Sequence, residues 1–498
     1  MNLPNYFLAD LPVEAELSPT IVTEACRTLK RNREQYLAQR RTDNLIQVLS
    51  HLAGEWLLPD YPFRKAALEE GPAATGFSRE TLEVGLNGFF RELTRQNLEV
   101  LVEQDLGHAK RLDEMVASDL EQKGNRAALA VAPELLVHIA AGNLPNPTLM
   151  SITLGLLTRS AQFVKCATGT SFIPRLFAHS LYELDRKLGA CLEVAEWRRP
   201  QGPVVDSPIV ELPESRRGAG SSEVPSDRMK GGKVPNGVHS VDLPGIALNK
   251  ALFAEADCVT ATGDDDTLFT IRQQLPAKTR FLGYGHRVSF IFIAAGALSG
   301  LNSRKVAERA AQDVAAWDQL GCLSPHVIYV ENGGGMTPLQ FAEALAQETE
   351  RREKLEPRGK LSVEASAGIA SRRSFYELRA AHSDDTSLWT SKESTSWTVV
   401  FEADVRFQTS CLNRFVYVKG VGSLTEALQA ADSVREKVST VGLAAPIDKA
   451  QALATELARW GVGRACPLGR MQHPPLTWRH DGRPALGDLI LWTDFELE

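Results

Sequence analysis

Three observations predict an α/β fold with a helical N-terminal region. Short runs of branched apolar residues alternate with helical stretches between Glu134 and Trp197, the pattern of parallel strands joined by crossover helices. Residues 1–127 show helical periodicity alone. The chain has 498 residues, enough for two or three domains or one elaborated α/β unit.

Composition narrows the function classes. Hydrophobic content of 43% and charged content of 23% are those of a soluble globular protein. A formal charge of -7 gives no reason to expect a nucleic acid or an anionic membrane surface as partner. The seven cysteines, at 26, 166, 191, 258, 322, 411 and 466, form no CxxC pair. That spacing argues for a reducing compartment and against a disulfide framework or a cysteine-rich zinc site. MNLPNYFLADLPVEAE lacks the basic flank and apolar core of a signal peptide. No apolar run approaches the ~20 residues of a membrane helix, so the cytoplasm is the expected compartment.

Taken in order, the helical region starts at Ser18-Pro19 and renews itself at Ser78, both cap signals. LLVHIAAG reads as a strand ending at Gly142-Asn143, followed by the helix TLMSITLGLLT. AQFVKCA (161–167) is the next strand, SFIPRLFAHSLYELDRKLG a helix, and LEVAEW (192–197) a strand. Ligands of such sheets bind at the carboxyl ends of the strands, which draws attention to Asn143 and Lys165. Residues 198–245 hold seven prolines and seven glycines and read as a long loop or disordered insertion, with a nucleotide-gripping role for its basic residues as the alternative.

A helix near 246–255 and the strand DCVTATG (257–263) follow. Asp264, Asp265 and Asp266 are expected to cap the next helix rather than hold a metal. FLGYGHRVS contains Gly-x-Gly between two strand-like pieces but no GxGxxG fingerprint. The helix before Cys322 has Asn302-Ser303 as caps, Val306, Ala310, Val314 and Trp317 as its apolar face, and Gly321 as its stop. Cys322 then lies on a loop before the strand HVIYVE, either as a reactive thiol or as a buried small hydrophobe. LQFAEALAQETERREKLE and SLTEALQAADSVREKV are expected helices, SWTVVFEADVRF and NRFVYVKGV strands. The proline- and glycine-rich end closes on a short strand.

HIAAGNLP, FVKCATGTS, TATGDDD, FLGYGHRVS, AAWDQLGCLSPHVIYVE and CPLGRMQHPPLTWRHDGRPALGDL, in this order, resemble the LuxC-type acyl-CoA (acyl-protein thioester) reductases, a branch of the aldehyde dehydrogenase superfamily. The resemblance implies a Rossmann-type NADP-binding domain at 128–270, a catalytic α/β domain at 271–465, and a closing segment at 466–498 with a possible oligomerisation strand. It places Cys322 as nucleophile and Asn143 as donor to the oxyanion. Lys165, Thr168, Thr262, Gly263 and Gly142 would line the cofactor site. A neutral Thr168, where NAD-preferring relatives often carry a glutamate, favours NADPH. Oxidative members carry a general-base glutamate where this chain reads Leu282-Gly283-Tyr284-Gly285-His286, so its acyl-cysteine is poorly hydrolysed. His286 is either a proton donor or a structural histidine.

The implied reaction is NADPH-dependent reduction of a fatty acyl thioester, on CoA or protein, to the aldehyde. The alternatives are an oxidative CoA-acylating aldehyde dehydrogenase and a cysteine acyltransferase without redox chemistry. Relatives in luminescence operons work with an acyl-protein synthetase and an acyl-transferase. A homo-oligomer is expected.

Overall fold

The computed structural model describes residues 3–12, 14–142, 144–197, 244–300 and 302–496. Asn143 and most of the 198–245 segment lie outside the described residues. Helices occupy much of 19–123. Ser18 accepts from Ile21 N ahead of Pro19, and Ser78 accepts from Thr81 N, so both expected caps form. The apolar stripes of these helices pack against the helices Asn146–Leu157 and Phe172–Leu184, and the Trp56 indole donates to the Ser180 hydroxyl at 2.9 Å.

The strands are β1 (Arg126–Val131), β2 (Leu135–Ile139), β3 (Ala161–Cys166), β4 (Leu192–Glu196), β5 (Cys258–Thr262), β6 (Arg280–Tyr284) and β7 (Val288–Ile293), then β8 (Pro325–Glu331), β9 (Thr386–Thr390), β10 (Thr398–Glu402), β11 (Phe415–Val421), β12 (Val438–Ala444), β13 (Arg464–Pro467) and β14 (Leu491–Glu496). A parallel sheet has the order β4-β3-β2-β5-β6. The winding reverses between β2 and β5, the place where such sheets bind ligands. The second sheet, β13-β12-β7-β8-β11-β10-β9, is parallel except for the β9–β10 pair. Its inner strand β7, VSFIFI, is buried at every position, because Ile291 and Ile293 face one apolar cluster and Phe290 and Phe292 the other. β1 and β14 pair antiparallel as a separate ribbon, joining residue 126 to residue 496.

Asp264 caps the helix Asp265–Gln274 by accepting from Thr267 N at 2.7 Å, and no cluster able to hold a metal occurs among the described residues. Other expectations are corrected. The helix before Cys322 ends at Ala315; Trp317, Asp318 and Gln319 leave it with φ of 51, 51 and 64°. The stop is therefore a left-handed turn rather than Gly321, and Trp317 does not extend the helical face. SLTEALQAADSVREKV is broken into the helix Leu424–Ala430 and a 3-10 turn, Asp432–Lys437. The strand in SWTVVFEADVRF covers only Thr398–Glu402.

Candidate active site

Three successive non-glycine residues at positive φ cost of order 1–3 kcal/mol each, so their surroundings must hold them. The indole of Trp317 fills the space beside Gly85, where a Cβ would come within 2.0 Å of the ring. Asp318 is buried, ion-paired to Arg414 at 2.8 Å, and accepts from Gly359 N at 3.0 Å. Gln319 bridges to β8 and β11, donating to Pro325 O (2.8 Å) and Phe415 O (2.9 Å) and accepting from Phe415 N (2.8 Å). Cys322 follows, just ahead of β8. Ser289 donates to its carbonyl at 2.8 Å, and Gln472 donates to the hydroxyl of Ser324 at 2.6 Å. The loop is pinned on both flanks.

Cys322 is exposed, whereas five of the other six cysteines are buried and Cys411 is half-buried. It lines a cleft of about 1320 Å³, part of it continuous with solvent. The floor holds His138, Thr260, Thr262 and Tyr284 from the first sheet, and Met150 and Leu154 stand on the helix Asn146–Leu157. The C-terminal segment covers the cleft with Pro475, Leu476, Trp478, His480 and Leu489. An amino end of one sheet thus faces the carboxyl end of the other across a largely apolar space. Although open to the cleft, the sulfur is short of bulk water. Desolvation pushes its thiol up to about 12, with the Asp481 carboxylate adding, while its own backbone N–H and the Arg287 guanidinium pull it down. The resting thiol is protonated at neutral pH, and the thiolate forms only when something takes its proton.

His480 is one of the titratable groups lining the cleft, with His473, His138 and Glu92. Its ring stacks 4.8 Å from Tyr284 and lies 4.8 Å from Trp478, and Nε2 is 3.9 Å from Asp481. Desolvation lowers its pKa, Asp481 opposes this, and Arg483 and Arg287 reinforce it, so the imidazole is neutral at pH 7. Arg483 lies 4.2 Å over the Tyr284 ring. His286 is exposed on the β6–β7 connection. Glu92, a carboxylate on the wall, accepts from Leu476 N at 3.2 Å.

The expected cofactor residues gather along one edge of the first sheet. Lys165 is buried near the end of β3, its ammonium 5.7 Å from the Trp197 ring. Thr168 is exposed on the turn after β3, and Gly142 is exposed beyond the end of β2. A Cβ on Gly142 would meet Thr170 at 3.0 Å and Ala167 at 3.2 Å, so glycine lets the two strand ends close together. Thr262 ends β5, and Gly263 N donates to Tyr284 O at 3.2 Å. Lys165 and Thr168, at the end of β3, carry donors of the kind a ribose hydroxyl would need. The helix start at Asp265 is already capped by Asp264 and carries two more carboxylates, so it does not suit a diphosphate.

Sequence reasoning missed His138, Thr260, Gln472, His480 and Glu196. His480 and Gln472 lie in blocks that carried the family resemblance, but neither lies in a periodic pattern. Glu196, at the end of β4, accepts from Gly169 N (2.5 Å) and Ser171 N (3.3 Å) and puts a carboxylate on the turn of Thr168.

A family model described as acyl-CoA reductase (LuxC) matches residues 37–211 and 236–492. The long-chain acyl-protein thioester reductase of Aliivibrio fischeri is 22% identical over 462 residues, covering 91% of this chain and 82% of that protein. Long-chain acyl-protein thioester reductase 2 of Photobacterium leiognathi is 21% identical over 459 residues, with the same coverage of 91% and 82%. Among solved structures, betaine aldehyde dehydrogenase of Staphylococcus aureus in complex with NAD+ matches with a TM-score of 0.63 at 14% identity, over 97% of this chain and 88% of that one. A bifunctional proline utilization A protein matches with a TM-score of 0.66 at 13% identity; this chain spans 45% of its length. The fold is that of the aldehyde dehydrogenases.

Proposed function

The chain belongs to the LuxC acyl-CoA reductase family, and on that premise we propose that it reduces a fatty acyl thioester, on CoA or on a protein, to the aldehyde through an acyl group held on Cys322. The observation that carries the reading is the exposure of Cys322 in an apolar cleft opposite the carboxyl edge of the first sheet.

Cys322 passes its thiol proton to neutral His480, and the thiolate attacks the acyl carbonyl. The Cys322 backbone N–H and the Asn143 amide receive the oxyanion; losing one such donor typically costs about 10²–10³ in rate. Collapse forms the acyl-cysteine and expels the carrier thiolate, which takes the proton back from His480. When bound along Lys165, Thr168, Thr262, Gly263 and Gly142, NADPH supplies the hydride. The resulting thiohemiacetal oxyanion collapses, breaks its bond to sulfur and releases the aldehyde, and the Cys322 thiolate left behind takes a proton from solvent and becomes the resting thiol again. The general-base glutamate of oxidative relatives has no counterpart at Leu282–His286, which slows hydrolysis of the acyl-cysteine and favours its reduction. His480 takes the proton-transfer role for which His286 was the sequence candidate.

Labelled acyl-CoA should leave label on the protein that is lost on adding NADPH, and Cys322→Ala should take up none. Aldehyde formation undiminished in that variant sinks the proposal. Label transfer to a thiol without loss of NADPH absorbance supports the acyltransferase alternative. Faster turnover of aldehyde with CoA and NADP+ supports the oxidative one. A second cofactor reading, NADH, is favoured by the Glu196 carboxylate beside Thr168. An acyl-protein synthetase and acyl-transferase as partners, a homo-oligomer and a cytoplasmic location belong to the same proposal.

A further inference from the structure

His138 on β2 pairs with Thr260 on β5, and Gln162 on β3 lies diagonally across from His138, opposite Leu136; their exposed fractions are 3%, 8% and 0%. They form a hydrogen-bonded chain whose direction is fixed at one end. The carbonyl of Ile152 can only accept, so the Gln162 amide nitrogen donates to it at 3.0 Å. The amide oxygen is then turned to His138 Nε2 at 2.8 Å, and because it can only accept, the imidazole carries its proton on Nε2. Nδ1 is left as an acceptor, 2.6 Å from the Thr260 hydroxyl, and takes that hydroxyl's proton. Burial holds the His138 pKa down at about 4, so the ring stays neutral and the chain keeps this direction at physiological pH.

The end of the chain opens on the cleft. His138 and Thr260 both line it, and Thr262 lies two residues further along the same face of β5. With its proton committed, Thr260 has only lone pairs to offer a ligand. Met150, Leu154 and Leu489 line the same cleft and offer nothing polar. The helix Asn146–Leu157 makes room for the device with a glycine, since a Cβ on Gly155 would come within 2.3 Å of the Gln162 amide oxygen. Three apolar residues would fill a sheet interior without burying polar atoms, and an acceptor facing an alkyl chain is left unpaired.

We propose that this cleft takes acyl groups whose chain carries a hydroxyl, which donates its proton to Thr260. The proposal rests on the acyl thioester reading of the same cleft and names the class of acyl group within it.

The test uses Cys322→Ala protein, which holds a thioester without reacting. Quenching of tryptophan fluorescence gives Kd for pairs of CoA thioesters of equal length, unsubstituted or hydroxylated at successive carbons. One hydroxylated position should bind about tenfold tighter than its plain counterpart. Thr260→Val should abolish that preference by weakening the hydroxylated ligand alone, and Thr260→Ser should keep it. Equal Kd values across every pair overturn the proposal, as does equal weakening of both ligands by Thr260→Val, which would mark the chain as structural. The first comparison stands even if the valine variant does not fold. Hydroxyacyl preference without NADPH-linked aldehyde formation by the wild-type enzyme would defeat the reductase reading and keep this one. Equal kcat/KM for both ligands with aldehyde formed would do the reverse.

Discussion

At the scale of single residues, two carboxylates lead to measurements. Glu196 places its charge on the Thr168 turn, where a 2′-phosphate would also stand, and like charges this close repel. Glu196→Gln should raise the ratio of kcat/KM for NADPH over that for NADH by about tenfold, and an unchanged ratio would show that the ribose end lies elsewhere. Asp313 is 1% exposed and accepts from Gly469 N (2.6 Å) and Met471 N (3.0 Å), tying the C-terminal segment to the helix before Cys322. Desolvation outweighs these hydrogen bonds and raises its pKa to about 7. A carboxyl whose folded pKa exceeds its unfolded value favours the folded state most below the unfolded pKa. That share is lost as pH rises from about 4 to about 7. Asp313→Asn, which leaves one N–H unpaired, should cost about 1–3 kcal/mol and flatten the dependence of urea midpoint on pH across that window.

The deciding element is the left-handed turn Trp317–Gln319. Its sequence, following AERAAQDVAA, continues a helical pattern, and the apolar spacing through Trp317 was legible as one face. Local propensity loses here because Gln319, Asp318 and the indole each find partners more than 35 residues away in the chain. The turn, rather than Gly321, therefore aims Cys322 into the cleft. Gly85→Ala pushes a methyl into the Trp317 ring at one contact point on a neighbouring helix. The expected outcome is a folded protein destabilised by about 1–3 kcal/mol, in which alkylation of Cys322 by iodoacetamide changes rate. An unaltered rate would show that the turn does not govern the nucleophile. The caps at Ser18, Ser78 and Asp264 were all legible in the sequence, since each is a local hydrogen bond between a side chain and a backbone N–H three residues on.

At the scale of the molecule, residues 466–490 tie its parts together. Asp481 pairs with Arg287 at 3.0 Å, Leu486 N donates to Asp105 at 2.8 Å, and Arg280 donates to Asp488 O at 2.5 Å. The same segment covers the cleft. Beyond it β14 is exposed at every position, with Leu491, Trp492 and Phe495 at 60%, 45% and 53%. These three exposed apolar side chains lie on a two-stranded ribbon whose outer edge is a template for pairing with another chain. Sedimentation should find a homo-oligomer, and Trp492→Asp with Phe495→Asp should shift it to a smaller species while leaving the cleft intact. A wild-type monomer would sink this expectation.

The alternation of strand and helix, the covered parallel strands, the helical N-terminal region and the family all follow from the sequence by itself, because each is written in neighbouring residues. So is the candidacy of Cys322, which its loop position between a helix and a strand already marks. Only the tertiary structure decided that this cysteine is exposed while most of the others are buried, that His480 rather than His286 shares its cleft, and that Gln162, His138 and Thr260 form one directed chain. Those residues lie up to 342 positions apart. Their burial, proton positions and pKa shifts arise from desolvation and pairing across strands, which exist only once the sheets have closed on each other.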